Sequence, residues 1–248
     1  MLINRKLYNI KNYGELWDER VKRYGAKREA ISMSSNESLS YQFRIWLKLS
    51  GAIKDKTILD AGCGYGRLMK EYSKHAEKIV GIDISWEMLK EAKKYLGNSY
   101  GLHKGSIIKL PFKGRSFDLV VCDRVLMHLT ELDMKTSLIE FKRVLKPKGI
   151  ILFSLPHRLS WLYSVRSFLF DVYTILLKIS GQLKIIHPRR FSKDKTRKIL
   201  EELGLTNYKI LSMRYNLGIM LLVRVIVPME EKTKLKRDQS LNLYQVSD

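Results

Sequence analysis

In Thr57-Ile-Leu-Asp-Ala-Gly-Cys-Gly-Tyr-Gly66, a short apolar run ends in three glycines that alternate with other residues. The apolar run predicts a buried strand. The residues from Arg67 to His75 predict a helix, because their apolar side chains recur at helical spacing. Glycine has no Cβ, so a glycine-rich turn between a strand and a helix can bring backbone N–H groups close to a ligand. This stretch therefore predicts a ligand-binding turn.

Two acids beside the turn indicate the charge of that ligand. A dinucleotide-binding fingerprint would have its third glycine where this chain has Arg67. Asp60 would repel a pyrophosphate, whereas it can accept a hydrogen bond from an ammonium group. Asp83 ends the next predicted strand, near the spacing of about 20 residues at which an acid binds ribose hydroxyls. For Asp83 taken alone, the alternative is a helix N-cap before Ser85 and Trp86.

The rest of the chain alternates between strand and helix patterns. Further strands are predicted at 78–83, 116–122 and 150–154, further helices at 85–96, 130–145 and 193–203, and a closing antiparallel pair at 208–213 and 220–227. Lys146-Pro-Lys-Gly149 predicts a turn that ends the helix before it. This alternation is typical of an α/β fold with a parallel sheet.

Composition sets the broad class of the protein. The chain has 248 residues, a formal net charge of +21 and only two cysteines, which is typical of a cytoplasmic protein without disulfides. The apolar stretch 159–177 contains Arg166 and Asp171, so we do not expect it to span a membrane. The basic stretch 184–198 is either a solvated helix face or a contact surface for phosphate, nucleic acid or an anionic membrane. No histidine or cysteine spacing predicts a metal site.

Several ordered motifs then resemble the class I S-adenosylmethionine-dependent methyltransferases, in particular the type 11 small-molecule group that includes quinone-biosynthesis enzymes. The resemblance runs from about residue 41 to 227. Its motifs are Ile58-Leu-Asp-Ala-Gly-Cys-Gly-Tyr-Gly-Arg-Leu68, Val80-Gly-Ile-Asp-Ile-Ser85, Leu110-Pro-Phe112, Phe117-Asp-Leu-Val-Val-Cys-Asp123, Leu126-Met-His-Leu129 and Arg143-Val-Leu-Lys-Pro-Lys-Gly149. It implies a Rossmann-like, seven-stranded, mostly parallel sheet with helices on both faces, an antiparallel terminal strand and a helical insertion after the fifth strand.

The resemblance also implies a cofactor, S-adenosyl-L-methionine, and the positions that bind it. The methionine end would lie at the glycine turn, the ribose at Asp83, the adenine beyond Asp83, and the sulfonium beside the end of the fourth strand. The implied residues are Asp60, Ala61, Gly62, Gly64, Gly66, Arg67, Asp83, Ile84, Met88, Ser106, Ile107, Asp123 and Arg124. Many relatives have an acid where this chain has Ser106. His128 is a candidate general base, with a packing role as the alternative.

These expectations divide the chain and define its function. Residues 1–56 are expected to form a helical cap, 57–228 the methyltransferase domain with an insertion at about 157–188, and 229–248 a flexible tail. The predicted reaction is methyl transfer to a small-molecule or lipid-like acceptor, with contact to an anionic membrane surface as one option. The alternatives are an RNA methyltransferase, suggested by the net charge, and a cofactor-binding module without catalysis.

Overall fold

The computed structural model describes residues 10–26, 36–157, 189–215 and 218–228. Its helices are α1 (Ile10–Tyr24), α2 (Asn36–Ser50), α3 (Arg67–Tyr72), α4 (Trp86–Leu96), α5 (Glu131–Val144) and α6 (Lys193–Glu202), with a 3-10 helix at Leu126–His128. Its strands are β1 (Thr57–Ala61), β2 (Lys78–Asp83), β3 (Gly101–Lys104), β4 (Phe117–Cys122), β5 (Leu145–Pro156), β6 (Tyr208–Tyr215) and β7 (Gly218–Ile226). The expected insertion and tail lie outside the described residues.

The seven strands form one sheet in the order β3-β2-β1-β4-β5-β7-β6. The contacts between β1, β2, β3, β4 and β5 are all parallel, and β7 is antiparallel to both of its neighbours. The predicted α/β fold with an antiparallel terminal strand is thus confirmed. Since the strand order reverses between β1 and β4, a ligand crevice is expected at the carboxyl ends of these strands.

Two hydrophobic clusters cover the two faces of the sheet. Along β1, Leu59 and Ala61 belong to the first cluster, and Ile58 belongs to the second. All three side chains are fully buried, because helices cover both faces. This explains why the strands are continuous apolar runs in the sequence rather than alternating patterns. None of the helices in the described ranges is long and apolar enough to cross a membrane.

Three local predictions need correction. The helix that begins at Arg67 ends at Tyr72, three residues earlier than expected. The predicted turn at 146–149 lies within β5, where Lys148 has a φ of 63° and the pairing with β4 shifts register. Its turn residues therefore form a bulge in the strand rather than a separate loop. Strand β3 was not predicted, because it lacks a buried apolar run.

Gly66 fixes the contact between the glycine turn and the neighbouring helix. It precedes α3 with a φ of 87°, in the left-handed region that glycine tolerates. A methyl group added at Gly66 would lie 2.5 Å from Cδ1 of Leu96, at the end of α4. Glycine is therefore required here both by the backbone conformation and by the packing of α3 against α4.

We expect Gly66→Ala to lower the free energy of unfolding by about 2–4 kcal/mol, since it combines left-handed strain with overpacking. Gly204→Ala is the control. Gly204, which follows α6, has a φ of 65°, and no atom lies within 4 Å of the added methyl group. In the control, the free energy of unfolding should fall only by the backbone strain, which is about 1–2 kcal/mol. Urea denaturation followed by circular dichroism measures both, and equal losses would contradict the packing argument.

Candidate cofactor-binding site

The glycine turn begins where β1 ends, and it is held between two neighbouring strands. The backbone N–H groups of Gly62 and Cys63 both donate to the carbonyl oxygen of Ile82, at 2.7 and 3.0 Å. Gly62 has a φ of 83°, and a methyl group there would lie 2.3 Å from Cγ2 of Val125, after β4. The turn is thus fixed by β2 on one side and by the loop after β4 on the other.

The turn is open at Gly64. This residue has a φ of 54°, and the nearest atom to an added methyl group would be Sδ of Met88, at 3.9 Å. Its N–H donates to Oδ2 of Asp83 at 2.8 Å, and the N–H of Ser85 donates to Oδ1 at 2.8 Å. The N–H of Ile84 also hydrogen-bonds this carboxylate. Three backbone donors therefore orient Asp83 beside open space.

Asp60 is the least compensated charge at this edge of the sheet. Its side chain lies in a residue that is 2% exposed, and its carboxylate accepts no hydrogen bond from the residues that the structure describes. Burial raises the pKa of Asp60 to about 8; the charge of Asp123 acts in the same direction, and that of Arg67 opposes it. A buried carboxyl group without a partner is costly, and an ammonium ligand would supply the missing hydrogen bond and charge.

In contrast, Asp123 has both oxygens occupied. Oγ of Ser154 donates to Oδ1 at 2.7 Å, while Arg67 and Arg124 contact Oδ2 at 2.9 and 3.2 Å. Arg124 has a φ of 59°, and its backbone N–H donates to Oγ of Ser154 at 2.9 Å. Strained backbone of this kind is typical of functional sites. Asp123 therefore positions both guanidinium groups at the end of β4, and the charge of Arg67 acts on Asp60.

His128 lies at the end of the 3-10 helix that follows β4. Its ring packs edge-on against the ring of Trp17, with centroids 5.2 Å apart, and its carbonyl oxygen accepts a hydrogen bond from Tyr13. The buried Nδ1 atom has no hydrogen-bond partner among the described residues. Burial lowers the pKa of His128 to about 4, and the charges of Arg20 and Arg124 act in the same direction. The imidazole is consequently neutral at pH 7.

Helix α1 lies across the end of β2 and the start of α4. Oδ1 of Asp18 accepts hydrogen bonds from Oγ of Ser85 at 2.6 Å and from the N–H of Glu87 at 3.0 Å. Gly14 fits closely against the strand, since a methyl group there would lie 3.0 Å from the carbonyl oxygen of Ile84. These contacts join α1 to the segment that follows Asp83.

The residues predicted for the adenine also gather near the end of β2. Gly105 donates its N–H to the carbonyl oxygen of Asp83 at 2.9 Å, which holds the turn with Ser106 beside this strand. Met88 is buried in a small cluster with Val21 of α1. The side chain of Ile107, however, belongs to the main hydrophobic core, so only its backbone faces away from the core.

The sequence analysis missed two residues that organise the site, Asp18 and Ser154. Asp18 belongs to no motif, and its partners lie 67 and 69 positions further along the chain. Ser154 gave a usable signal, because it is a fully buried polar residue close to the carboxyl end of an apolar strand. A hydroxyl at that position lies next to the end of β4, where Asp123 was predicted.

Comparison with known proteins agrees with this geometry. A family model described as a methyltransferase domain matches residues 59–153. The chain is 36% identical over 130 residues to a malonyl-[acyl-carrier protein] O-methyltransferase from Hamiltonella defensa, which covers 51% of this chain and 48% of that protein. The chain thus spans about half the length of this relative. A ubiquinone biosynthesis O-methyltransferase from Nitrosomonas europaea is 27% identical, with 68% of this chain and 72% of that protein covered.

The solved structures give the same fold. Magnesium protoporphyrin IX methyltransferase from Synechocystis PCC 6803, solved with bound SAH, has a TM-score of 0.61 at 18% identity and covers 86% of this chain and 98% of that one. A methyltransferase from Thermotoga maritima also gives a TM-score of 0.61, at 19% identity, with 86% and 99% covered. Together with the family model, these similarities confirm the resemblance found in the sequence. Residues 59–153 are thus similar to a methyltransferase domain in sequence, and the chain shares the fold of these S-adenosylmethionine-dependent methyltransferases.

Proposed function

We propose that the protein transfers the methyl group of S-adenosylmethionine to a small-molecule or lipid-like acceptor. The observation that carries this proposal is the buried carboxyl group of Asp60, which lacks a hydrogen-bond partner among the described residues. The cofactor has an ammonium group at its methionine end, and this cation suits Asp60 in charge and in hydrogen bonding.

The other residues of the site fit the same cofactor. Asp83 is an acceptor for the ribose hydroxyls that backbone donors hold in place, and the open turn at Gly64 leaves room beside it. Ile84 and Met88 offer apolar surface for the adenine, and Ser106 offers a hydroxyl close to the end of β2. Arg67, which contacts Asp123, borders the methionine end.

The cofactor supplies a methyl group on a positively charged sulfur, which is a good leaving group. The protein must then mainly exclude water and hold the acceptor in line. In our proposal α1 provides the cover, because Asp18 joins it to α4 and Trp17 packs on His128. The imidazole of His128 is neutral, and its Nδ1 atom, which has no partner in the described ranges, would accept a proton from the acceptor.

The names of the relatives support the proposed acceptor class. The names of two relatives indicate methylation of malonyl-[acyl-carrier protein] and of ubiquinone precursors, and one structural neighbour acts on magnesium protoporphyrin IX. We propose an acceptor of this small or lipid-like kind. Contact with an anionic membrane is the less supported part, because Arg189 and Lys195 of the basic stretch both pair with Glu131.

Asp60→Asn should stabilise the ligand-free protein and weaken cofactor binding. Asp60 ionises near pH 4 in the unfolded chain and near pH 8 in the folded one, so its stabilising contribution is complete below pH 4 and is lost as the pH rises towards 8. The free energy of unfolding of the variant should therefore exceed that of the wild type by at least about 2 kcal/mol at pH 8. Near pH 4 the two values should be almost equal. Urea denaturation at several pH values measures this, and calorimetry measures the binding of S-adenosylmethionine.

Asp118→Asn is the matched control at the opposite edge of the sheet. Burial acts to raise the pKa of Asp118, but hydrogen bonds from Lys146 and from the N–H of Thr57 outweigh it and lower the pKa. The control should therefore lose stability at pH 7 and bind the cofactor normally. Wild-type cofactor affinity in Asp60→Asn would rule out Asp60 as the ammonium ligand.

His128→Ala should reduce turnover by about 100-fold, the lower end of the range for a general base, because a pKa of about 4 makes a weak base. Cofactor affinity should not change. Methyl transfer from labelled cofactor to a panel of phenols and carboxylic acids measures turnover. His103→Ala, on the edge strand β3, is the control. Unchanged turnover in His128→Ala would assign this histidine to packing.

A further inference from the structure

Helix α2 carries two buried polar side chains without partners. Gln42 is 1% exposed and Trp46 is fully buried. The amide oxygen and nitrogen of Gln42 and the indole nitrogen of Trp46 make no hydrogen bond with any described residue. The two residues are one turn apart, so they share a face of the helix. A buried polar group left without a hydrogen bond destabilises the protein, and two adjacent ones indicate a missing hydrogen-bond partner.

The same face of α2 contacts Tyr72, the last residue of α3, which follows the glycine turn. Ser50, one turn beyond Trp46, donates to the carbonyl oxygen of Trp46 at 2.9 Å and lies 2.7 Å from the hydroxyl of Tyr72. The ring of Phe43 packs edge-on against the ring of Tyr72, at 5.3 Å between centroids. Gln42, Phe43 and Trp46 of α2 together with Tyr72 of α3 therefore form one surface, which we call the α2 wall.

Strand alternation places this wall on the side of the two acids. Ile58 of β1 and Val121 of β4 share a hydrophobic cluster with Trp46. Two residues further along, on the same side of the sheet, come Asp60 and Asp123. These two carboxylates are close enough to Tyr72 for their charges to raise the pKa of its hydroxyl. Burial raises the pKa of Tyr72, the hydrogen bond with Ser50 opposes this, and the charges of Asp60 and Asp123 raise it further.

The chemistry of the wall defines what it can bind. Gln42 and Trp46 offer N–H donors, and Gln42 also offers one acceptor. Phe43 and Tyr72 add aromatic surface. A carboxylate is disfavoured because it would lose its hydration here, while the donors of Gln42 and Trp46 are neutral and cannot compensate for its charge. A neutral hydroxyl or carbonyl oxygen on an apolar body satisfies all of these conditions.

We infer that Gln42 and Trp46 bind a neutral hydroxyl or carbonyl oxygen of the methyl acceptor. This inference rests on the proposed function and makes it more specific. The pair fixes the orientation of the acceptor and selects neutral, oxygen-bearing molecules over carboxylates. In this role the free protein keeps the two side chains unsatisfied, at a cost in stability that the bound acceptor offsets.

Phenol and benzoate are suitable probes, because they share a ring and differ in charge at pH 7. The full-length protein, saturated with S-adenosylhomocysteine, is titrated with each, and the indole N–H signal of Trp46 is followed by ¹H–¹⁵N NMR after triple-resonance assignment. Phenol should shift this signal, and benzoate should not. The indole of Trp86, a residue that is 49% exposed, is the internal reference and should stay unchanged.

Gln42→Leu should weaken phenol binding by about tenfold and leave the affinity for S-adenosylhomocysteine unchanged. It should also raise the melting temperature of the ligand-free protein, whereas loss of a purely structural residue would lower it. No shift with phenol, or a Trp46 signal that responds to S-adenosylhomocysteine alone, would overturn the inference. If the wild type fails to bind S-adenosylhomocysteine in calorimetry, the proposed function itself is wrong.

Discussion

At the end of β1 lies a buried carboxyl group that has no hydrogen-bond partner within the described part of the chain, and the site depends on this constraint. Asp60 is costly to the ligand-free protein, since burial and the charge of Asp123 both disfavour its ionised form. Nothing in the packing of the sheet requires an acid at this position. Proteins keep such unfavourable groups mainly where a ligand compensates for them. The same carboxyl group thus destabilises the ligand-free fold and favours the binding of a cation.

The three glycines of the turn have different roles beside this carboxyl group. Gly62 and Gly66 are required by packing, because a methyl group at either would collide with Val125 or Leu96. Gly64 is different, since its surroundings are open and its N–H is directed at Asp83. Two glycines therefore fix the position of the turn, and the third leaves the space in which a ligand meets both acids.

The sequence was sufficient to predict those parts of the fold and site that depend on short, contiguous patterns of residues. The apolar runs and the glycine turn predicted the strands, and the acids beside the turn indicated the charge of the ligand. It was insufficient for β3, whose four residues are mostly exposed, and for the bulge in β5. It also gave no sign of Asp18 or Gln42. These residues lie on helices without motifs, and their importance arises from tertiary surroundings that no short pattern contains.

The charge of the whole chain is a poor guide to this site. A net charge of +21 would suggest a protein that repels cations, yet three acids meet at the carboxyl edge of the sheet. At physiological salt, exposed charges are screened beyond about 8 Å, whereas buried ones are screened much less. The distant lysines and arginines therefore contribute little to the potential inside the site. Asp123 is paired with Arg67 and Arg124, so Asp60 and Asp83 determine which charge is accepted there. The basic surface has to be explained separately.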